Sequence, residues 1–375
     1  MKVALELQPC CGKRSGIGMY TYELAKRMRD RDGLEFCGNL FNFAGRNDNT
    51  QALQGIGMPI RESTVFPYGV YRRIWNWVRI PYQSLFPGRT DLTVFFNYIV
   101  PPHVSGKVIT TIYDMTYMRF PETMDARNLR RLRQGIQYSV ERSDHILTIS
   151  EFSKQEIVSL LNIPEERISV VYSAPSLSGK TKAFEEISQK FSIRKPFVLY
   201  VGTIEPRKNL ERLIEAFKTL KKEHRISHQL VLAGGSGWEN KTIYQAAQEL
   251  QVAGEIIFTG YLSEEEKNTL YKNADLFVFP SLYEGFGMPP LEAMAFGCPV
   301  VCADAASLPE VVGDAAELVD PLDTDSIAEG MWRVLSDREY AAELRQKGYQ
   351  QKEKFTWDDS AEKLIEICRT VLGEP

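Results

Sequence analysis

Glu284 and Glu292 stand eight positions apart in SLYEGFGMPPLEAMAFGCPVV, residues 281–301, directly after the apolar run DLFVFP. One helix through both would set them roughly two turns apart on one side, but the intervening glycines and prolines forbid continuity. Pro289 and Pro290 suit a first helical turn, where a missing N–H costs nothing, and Gly297 suits the position just past a helix end. The pattern predicts a loop holding Glu284, then a short helix over 290–296 with Glu292 in its first turn. Backbone N–H groups of Gly285, Phe286 and Gly287 then gather near the helix's positive end, a seat for an anion or for sugar oxygens. Carboxylates accept hydrogen bonds and do not donate, so two of them beside that seat suit a hydroxyl-rich ligand with vicinal diols. The competing reading leaves Glu292 offsetting the helix dipole and Glu284 solvated.

Gly16-Ile17-Gly18 follows the first apolar run and precedes a helix expected to begin near Met19. The string GIGMYT lacks the third glycine of the dinucleotide fingerprint, which argues against a nicotinamide dehydrogenase and leaves a tight turn as the plain reading. A second junction, VGTIEPRKNL, sets Arg207 and Lys208 where a strand-end loop enters the next helix, and ITTIYDMTYMRFPE ends a strand at Tyr113-Asp114. His103, His145, His224 and His228 read as structural. Cys10, Cys11, Cys37, Cys298, Cys302 and Cys368 form no CxxC pair and have no histidine at zinc spacing, so reduced, mostly buried thiols are expected.

Elements that position these junctions follow from the pattern between them. VALEL precedes YTYELAKRM, KVITTIY precedes a basic helix, HILTIS precedes EFSKQEIVSLL, and ISVVY closes the series. The alternation restarts at FVLYVGT and runs through QLVLAGG, EIIFTGY, DLFVFPS and PVVCA with helical stretches between. Strands alternating with helices imply parallel sheets covered on both faces. Residues 173–195 are polar and contain Pro, Ser and Gly, which reads as an interdomain linker with one helix. The expected fold class is α/β: two doubly wound Rossmann-like domains, 1–176 and 177–356, facing each other across a cleft. Ligands of such sheets bind at the carboxyl ends of the strands, which is where the junctions above lie.

A chain of 375 residues, 43% hydrophobic and 25% charged, exceeds one ordinary core and fits two domains. No apolar run reaches the roughly 20 residues that cross a bilayer, and MKVALELQ is a poor signal peptide, so a cytoplasmic protein is expected. The net charge of −4 hides an asymmetry, +5 over residues 1–172 and −9 over 173–375, which points the first half toward an anionic partner. Residues 66–89 interleave Arg72, Arg73 and Arg79 with Tyr71, Trp75, Trp77 and Tyr82, and residues 127–135 add RNLRRLRQG. Cations with aromatics suit peripheral contact with an anionic membrane; the alternative is aromatics that are partly core beneath a solvated arginine rim. Nucleic acid fits poorly with a pI of about 5.8.

Glu284, seven intervening residues and Glu292, within EGFGMPPLEAMAFGCPVV, resemble the E-x7-E signature of the family 4 retaining glycosyltransferases of GT-B fold. The resemblance extends over nearly the whole chain, through SGIGMYTYELAKRM, TIYDMTYMRFPE, SDHILTISEFSKQEI, RISVVYSAPS, FVLYVGTIEPRKNLERLIEAF, LVLAGGSGW, IIFTGYLSEEEKNTLYKNADLFVFPS and FTWDDSAEKLIEI. It implies a nucleotide-sugar donor on the second domain and an acceptor on the first, with the final helix, 357–375, packing back on the first. Glu292 would hold the donor ribose and Glu284 the transferred hexose, while Gly285, Phe286 and Gly287 orient sugar and phosphates. Lys208 matches the family's phosphate-binding lysine. The family more often has Arg where this chain has Thr203, and Arg207 is the candidate replacement. Gly260, Tyr261 and Leu262 are further donor contacts, and Gly16 and Gly18 allow close backbone approach to donor phosphate or acceptor.

Relatives usually carry His-Asp where this chain has Tyr113-Asp114. Tyr113 and Asn97 are therefore the sugar-proximal candidates, and Asp114 is an acid/base or acceptor-orienting group or a cap for the segment after it. The resemblance implies no metal and no cofactor, and front-face departure in which the leaving phosphate takes the acceptor's proton. The expected reaction transfers a hexose, best matched by GDP-mannose, to a glycan or lipid-diphosphate-linked acceptor in polysaccharide synthesis, at the inner face of the membrane. The alternatives are a UDP-sugar-dependent glucosyl or GlcNAc transferase of the same fold and a non-catalytic nucleotide-sugar-binding subunit.

Overall fold

A computed structural model of the protein describes residues 1–12, 16–30, 33–43, 45, 53–75, 77–176, 179–237 and 240–373. Ser15 and Trp238 of the quoted motifs, Asn76 of the basic stretch, residues 177–178 of the linker and the last two of helix 357–375 lie outside them. The described chain divides into two compact units, the first of residues 1–117, 126–173 and 356–375, the second of 118–125 and 174–355.

The first unit is built on seven strands: β1 (Lys2–Glu6), β2 (Glu35–Phe41), β3 (Ile60–Ser63), β4 (Leu92–Phe95), β5 (Lys107–Thr111), β6 (His145–Thr148) and β7 (Ile168–Val170). They pair in parallel in the order β3-β2-β1-β4-β5-β6-β7. Val3, Leu5, Val94, Ile109 and Ile146 are fully buried, as continuous apolar runs are in a sheet covered on both faces. The order reverses between β1 and β4, so their carboxyl ends, at Glu6 and Phe95, open the crevice where doubly wound sheets hold ligands. The helix Trp357–Leu372 belongs to this unit: Asp358 pairs with Arg27 at 2.7 Å, the Ser360 hydroxyl donates to the Tyr172 carbonyl at 2.8 Å, and Trp357 meets Tyr20 edge-on at 5.7 Å.

The second unit has six strands: β8 (Phe197–Val201), β9 (Gln229–Ala233), β10 (Ile256–Gly260), β11 (Leu276–Phe279), β12 (Val300–Ala303) and β13 (Glu317–Val319). All are parallel, in the order β10-β9-β8-β11-β12-β13, and the reversal falls between β8 and β11. The loops after those two strands carry Thr203 to Lys208 and Glu284 to Gly287.

Three local expectations change. The first helix spans Gly16–Arg27, three residues earlier than Met19, because first-turn N–H groups need no partner and buried Tyr20 and Leu24 offset the glycine cost. The short helix after the Glu284 loop spans Met288–Ala295, since the whole first turn tolerates proline; Glu292 therefore lies in the second turn. Met118–Asp125 counts with the second unit, where the Phe120 ring lies 5.4 Å from Tyr283. Among the described residues no helix is long and apolar enough to cross a membrane.

Candidate functional site

Lys208 ends the tight helical turn Pro206–Lys208, and Asn209 follows in the left-handed region at φ 61°. That conformation aims the Asn209 amide at two carbonyls, Pro280 at 3.1 Å and Pro321 at 2.6 Å, which ties the β8 loop to the end of β11. The Leu282 N–H donates to the Arg207 carbonyl at 3.0 Å, and the Arg207 guanidinium donates to the Tyr283 carbonyl at 2.5 Å. These bonds bring four charged groups together. Lys208 Nζ donates to Glu284 Oε1, and Arg207 pairs with Glu284 Oε2 at 3.3 Å and with Glu205 at 2.7 Å. The Glu284 side chain is 13% exposed, so it is not the solvated carboxylate of the competing reading. Burial alone would push its carboxyl up; the charges of Lys208 and Arg207 and the Lys208 hydrogen bond outweigh that and hold it below the ordinary range.

The loop after Glu284 is fixed from behind. The Ser307 hydroxyl reaches the carbonyls of Glu284 at 2.9 Å and Phe286 at 2.8 Å, and Phe286 packs edge-on to Phe355 at 5.4 Å. Gly287 precedes the helix at φ 117°, and a Cβ there would lie 2.6 Å from Leu308 Cδ2. Only glycine enters this turn without strain.

Glu292 is held by residues the sequence reading did not single out. Lys267 Nζ donates to its Oε1 at 2.6 Å and the Tyr271 hydroxyl donates to its Oε2 at 2.9 Å. Both come from the helix Glu264–Asn273, whose EEEKN start reads as a solvated charge run. Thr203 is exposed after β8, its carbonyl accepting the Tyr200 hydroxyl at 3.1 Å. Gly260, Tyr261 and Leu262 end β10 at the same carboxyl edge of the sheet, with Gly260 at φ 68° and Tyr261 68% exposed.

In the first unit, Gly16 and Gly18 lie inside the first helix, Gly16 exposed with open space where a Cβ would stand and Gly18 buried. Tyr113 is buried and its hydroxyl donates to the Phe96 carbonyl at 3.0 Å, so its proton is already committed within the fold. Asp114 Oδ1 accepts the Thr116 N–H at 2.9 Å and so caps the helix Thr116–Arg119. Asn97 follows β4, its Oδ1 accepting the Tyr98 N–H at 3.0 Å. A further carboxyl, Glu6, ends β1 only 4% exposed, with Gln8 N–H donating to it at 3.2 Å. Burial pushes its pKa up to about 8.

The basic stretch divides as the alternative reading has it for three aromatics. Tyr71, Trp75 and Tyr82 are core, Tyr71 stacking on Phe41 at 5.1 Å, whereas Trp77 is 89% exposed beside exposed Arg72, Arg73 and Arg79. Arg131, from the second basic stretch, lies close enough to Arg72 that burial and then that charge lower its pKa. All six cysteines are free, and five of them are buried. Among the described residues no group of three or more His, Cys, Asp or Glu is placed to hold a metal ion.

A family profile described as glycosyl transferases group 1 matches residues 183–351. The O-antigen chain mannosyltransferase B of Escherichia coli is 32% identical over 380 residues, which cover 97% of this chain and 98% of that one. The chain belongs to the group 1 glycosyltransferases. A second relative, the serotype-specific mannosyltransferase WbdA of Escherichia coli, is 31% identical over 292 residues, 76% of this chain and 36% of the longer protein. Among solved structures, Anabaena HepE in complex with UDP-glucose superposes with a TM-score of 0.73 at 19% identity, covering 99% of this glycosyltransferase and 100% of HepE. Sucrose-phosphate synthase from Thermosynechococcus elongatus gives 0.73 at 18% identity over 100% and 99% of the two chains. The fold of this glycosyltransferase is thus GT-B, built from two Rossmann-like domains.

Proposed function

We propose that the protein is a retaining, metal-independent mannosyltransferase that moves mannose from GDP-mannose to a glycan or lipid-linked saccharide acceptor in polysaccharide synthesis. The observation that carries this reading is a largely enclosed Glu284 held between Lys208 and Arg207, eight residues before Glu292, in a chain 32% identical to an O-antigen mannosyltransferase almost end to end. Glu292 takes the ribose diol and Glu284 the hexose hydroxyls, since each carboxylate oxygen retains a free lone pair beside its protein partner. Lys208 has three donors, so it can keep Glu284 and still face the departing diphosphate as a point charge. Arg207 supplies the second cation that Thr203 does not. In this reading two fixed cations stabilise the leaving charge, which is the role a metal ion plays elsewhere. The acceptor oxygen bonds to the anomeric carbon on the face from which the phosphate leaves, and its proton passes to that phosphate. Asp114 orients the acceptor.

The exposed Trp77, Arg72, Arg73 and Arg79 are read as the contact with an anionic membrane at its inner face. Sedimentation with anionic vesicles at low salt checks this: wild type should pellet, a Trp77→Ala/Arg72→Ala/Arg79→Ala variant should not, and a wild type that stays in solution ends the membrane reading.

A thermal-shift panel of GDP-mannose, UDP-glucose and UDP-GlcNAc tests the donor. At 100 times its Kd a ligand stabilises by about 2.7 kcal/mol. A shift with UDP-sugars alone overturns GDP-mannose. Slow hydrolysis of the donor by purified protein separates an enzyme from a pure binder, which turns nothing over.

A further inference from the structure

A glutamate has three rotatable side-chain bonds, and an unrestrained one must be ordered each time a ligand binds, at a cost in conformational entropy. Glu292 is already ordered. Lys267 Nζ holds Oε1 at 2.6 Å and the Tyr271 hydroxyl holds Oε2 at 2.9 Å, leaving a second lone pair on each oxygen. Tyr271 is fully buried, its ring edge-on to Phe277 at 5.4 Å and stacked on Phe296 at 6.1 Å. Burial first, and then the Glu292 charge, lifts its hydroxyl well above the ordinary tyrosine range, so it remains a donor. Lys267 lies one turn before Tyr271 on the same helix, and that helix starts at a fixed point, with Ser263 and Glu266 forming a reciprocal cap.

We propose that Lys267 is a positioning residue for the donor nucleotide: with Tyr271 it presets the Glu292 carboxylate, so that the ribose diol meets two ordered acceptors. The inference rests on the reading of Glu292 as the ribose-holding group. It requires no contact between Lys267 and the nucleotide, and it distinguishes Lys267 from an ion pair that only stabilises the fold. A purely structural pair, once broken, weakens every ligand alike; a preset carboxylate matters only to ligands that carry the diol.

The test is calorimetric titration of the full chain with GDP and with 2′,3′-dideoxy-GDP, or with the matching uridine pair if thermal shift selects UDP. Both ligands are titrated into one preparation, so any loss of folded protein cancels in their affinity ratio. Lys267→Met should weaken GDP by about five- to tenfold while leaving the dideoxy ligand within about twofold of wild type. Lys267→Arg, which keeps the charge and the donors, should restore GDP affinity to within about threefold. Glu292→Ala reports on the underlying reading and should bring the ratio close to one. A Lys267→Met protein that weakens both ligands equally, or leaves GDP unchanged, while Glu292→Ala collapses the ratio, overturns the role of Lys267 alone. A Glu292→Ala protein with the wild-type ratio overturns the ribose reading and this inference with it.

Discussion

Glu284 pairs with Lys208 inside a largely buried site and shares its second oxygen with Arg207, so losing Glu284 leaves the Lys208 ammonium without its carboxylate and losing Lys208 leaves Glu284 with one cation instead of two. In the proposed reading, removing either side chain takes away a contact to the transferred sugar or its leaving group. Glu284→Ala and Lys208→Ala should each lower turnover at least tenfold, about 1.4 kcal/mol or more, in a donor-consumption assay. Glu6 makes a different kind of prediction. Its pKa rises from 4.5 to about 8 on folding, so between those values the folded chain binds more protons than the unfolded one, and stability falls as pH rises. The full effect is on the order of 4–5 kcal/mol at most. Urea denaturation at pH 5, 6.5 and 8 should show this decline in wild type and a flatter profile in Glu6→Gln. The loop position of Glu284 was legible in the sequence because Gly285, Gly287, Pro289 and Pro290 forbid a continuous helix through it. Lys267 was not, because its partner lies 25 residues away on another helix and only their packing reveals the pair.

Both sheets were legible at the scale of the element, because a parallel strand buried on two faces must read as a continuous apolar run, as FVLYV and LFVF do. Helix starts were less so: the first turn tolerates residues that look like breakers, which moved the starts to Gly16 and Met288. The turn before Met288 also sets a limit on substitution. Gly287→Ala would place a methyl group against Leu308 at a positive φ, and should cost about 1–3 kcal/mol in denaturant unfolding. It should also raise the donor KM, since the loop it strains carries Glu284. Aromatic burial in the basic stretch was not readable from spacing. The helix Tyr68–Ile74 is too short to show a face, so nothing in the sequence separates core Trp75 from exposed Trp77.

The first unit is assembled from distant pieces of chain, and the helix Trp357–Leu372 completes its core through Trp357, Leu364 and Cys368. Trp357→Ala should destabilise this unit by about 3–5 kcal/mol and pull its urea transition to lower concentration. The composition change over 173–195 marked where the second unit begins, at Ala174, but not that the stretch itself counts with that unit. The membership of Met118–Asp125 in the second unit was not legible, because it comes from contacts far apart in the chain, the Phe120 and Tyr283 rings among them.

The four groups Glu205, Arg207, Lys208 and Glu284 carry two positive and two negative charges, in the part of the chain, residues 173–375, whose balance is −9. In the proposed reading an approaching diphosphate meets two cations whose charge two carboxylates already offset, and gains its affinity at contact, from the Lys208 and Arg207 donors left beside those carboxylates. Raising the ionic strength from low to moderate should leave donor affinity nearly level and quicken association, the reverse of what an open dicationic trap would do.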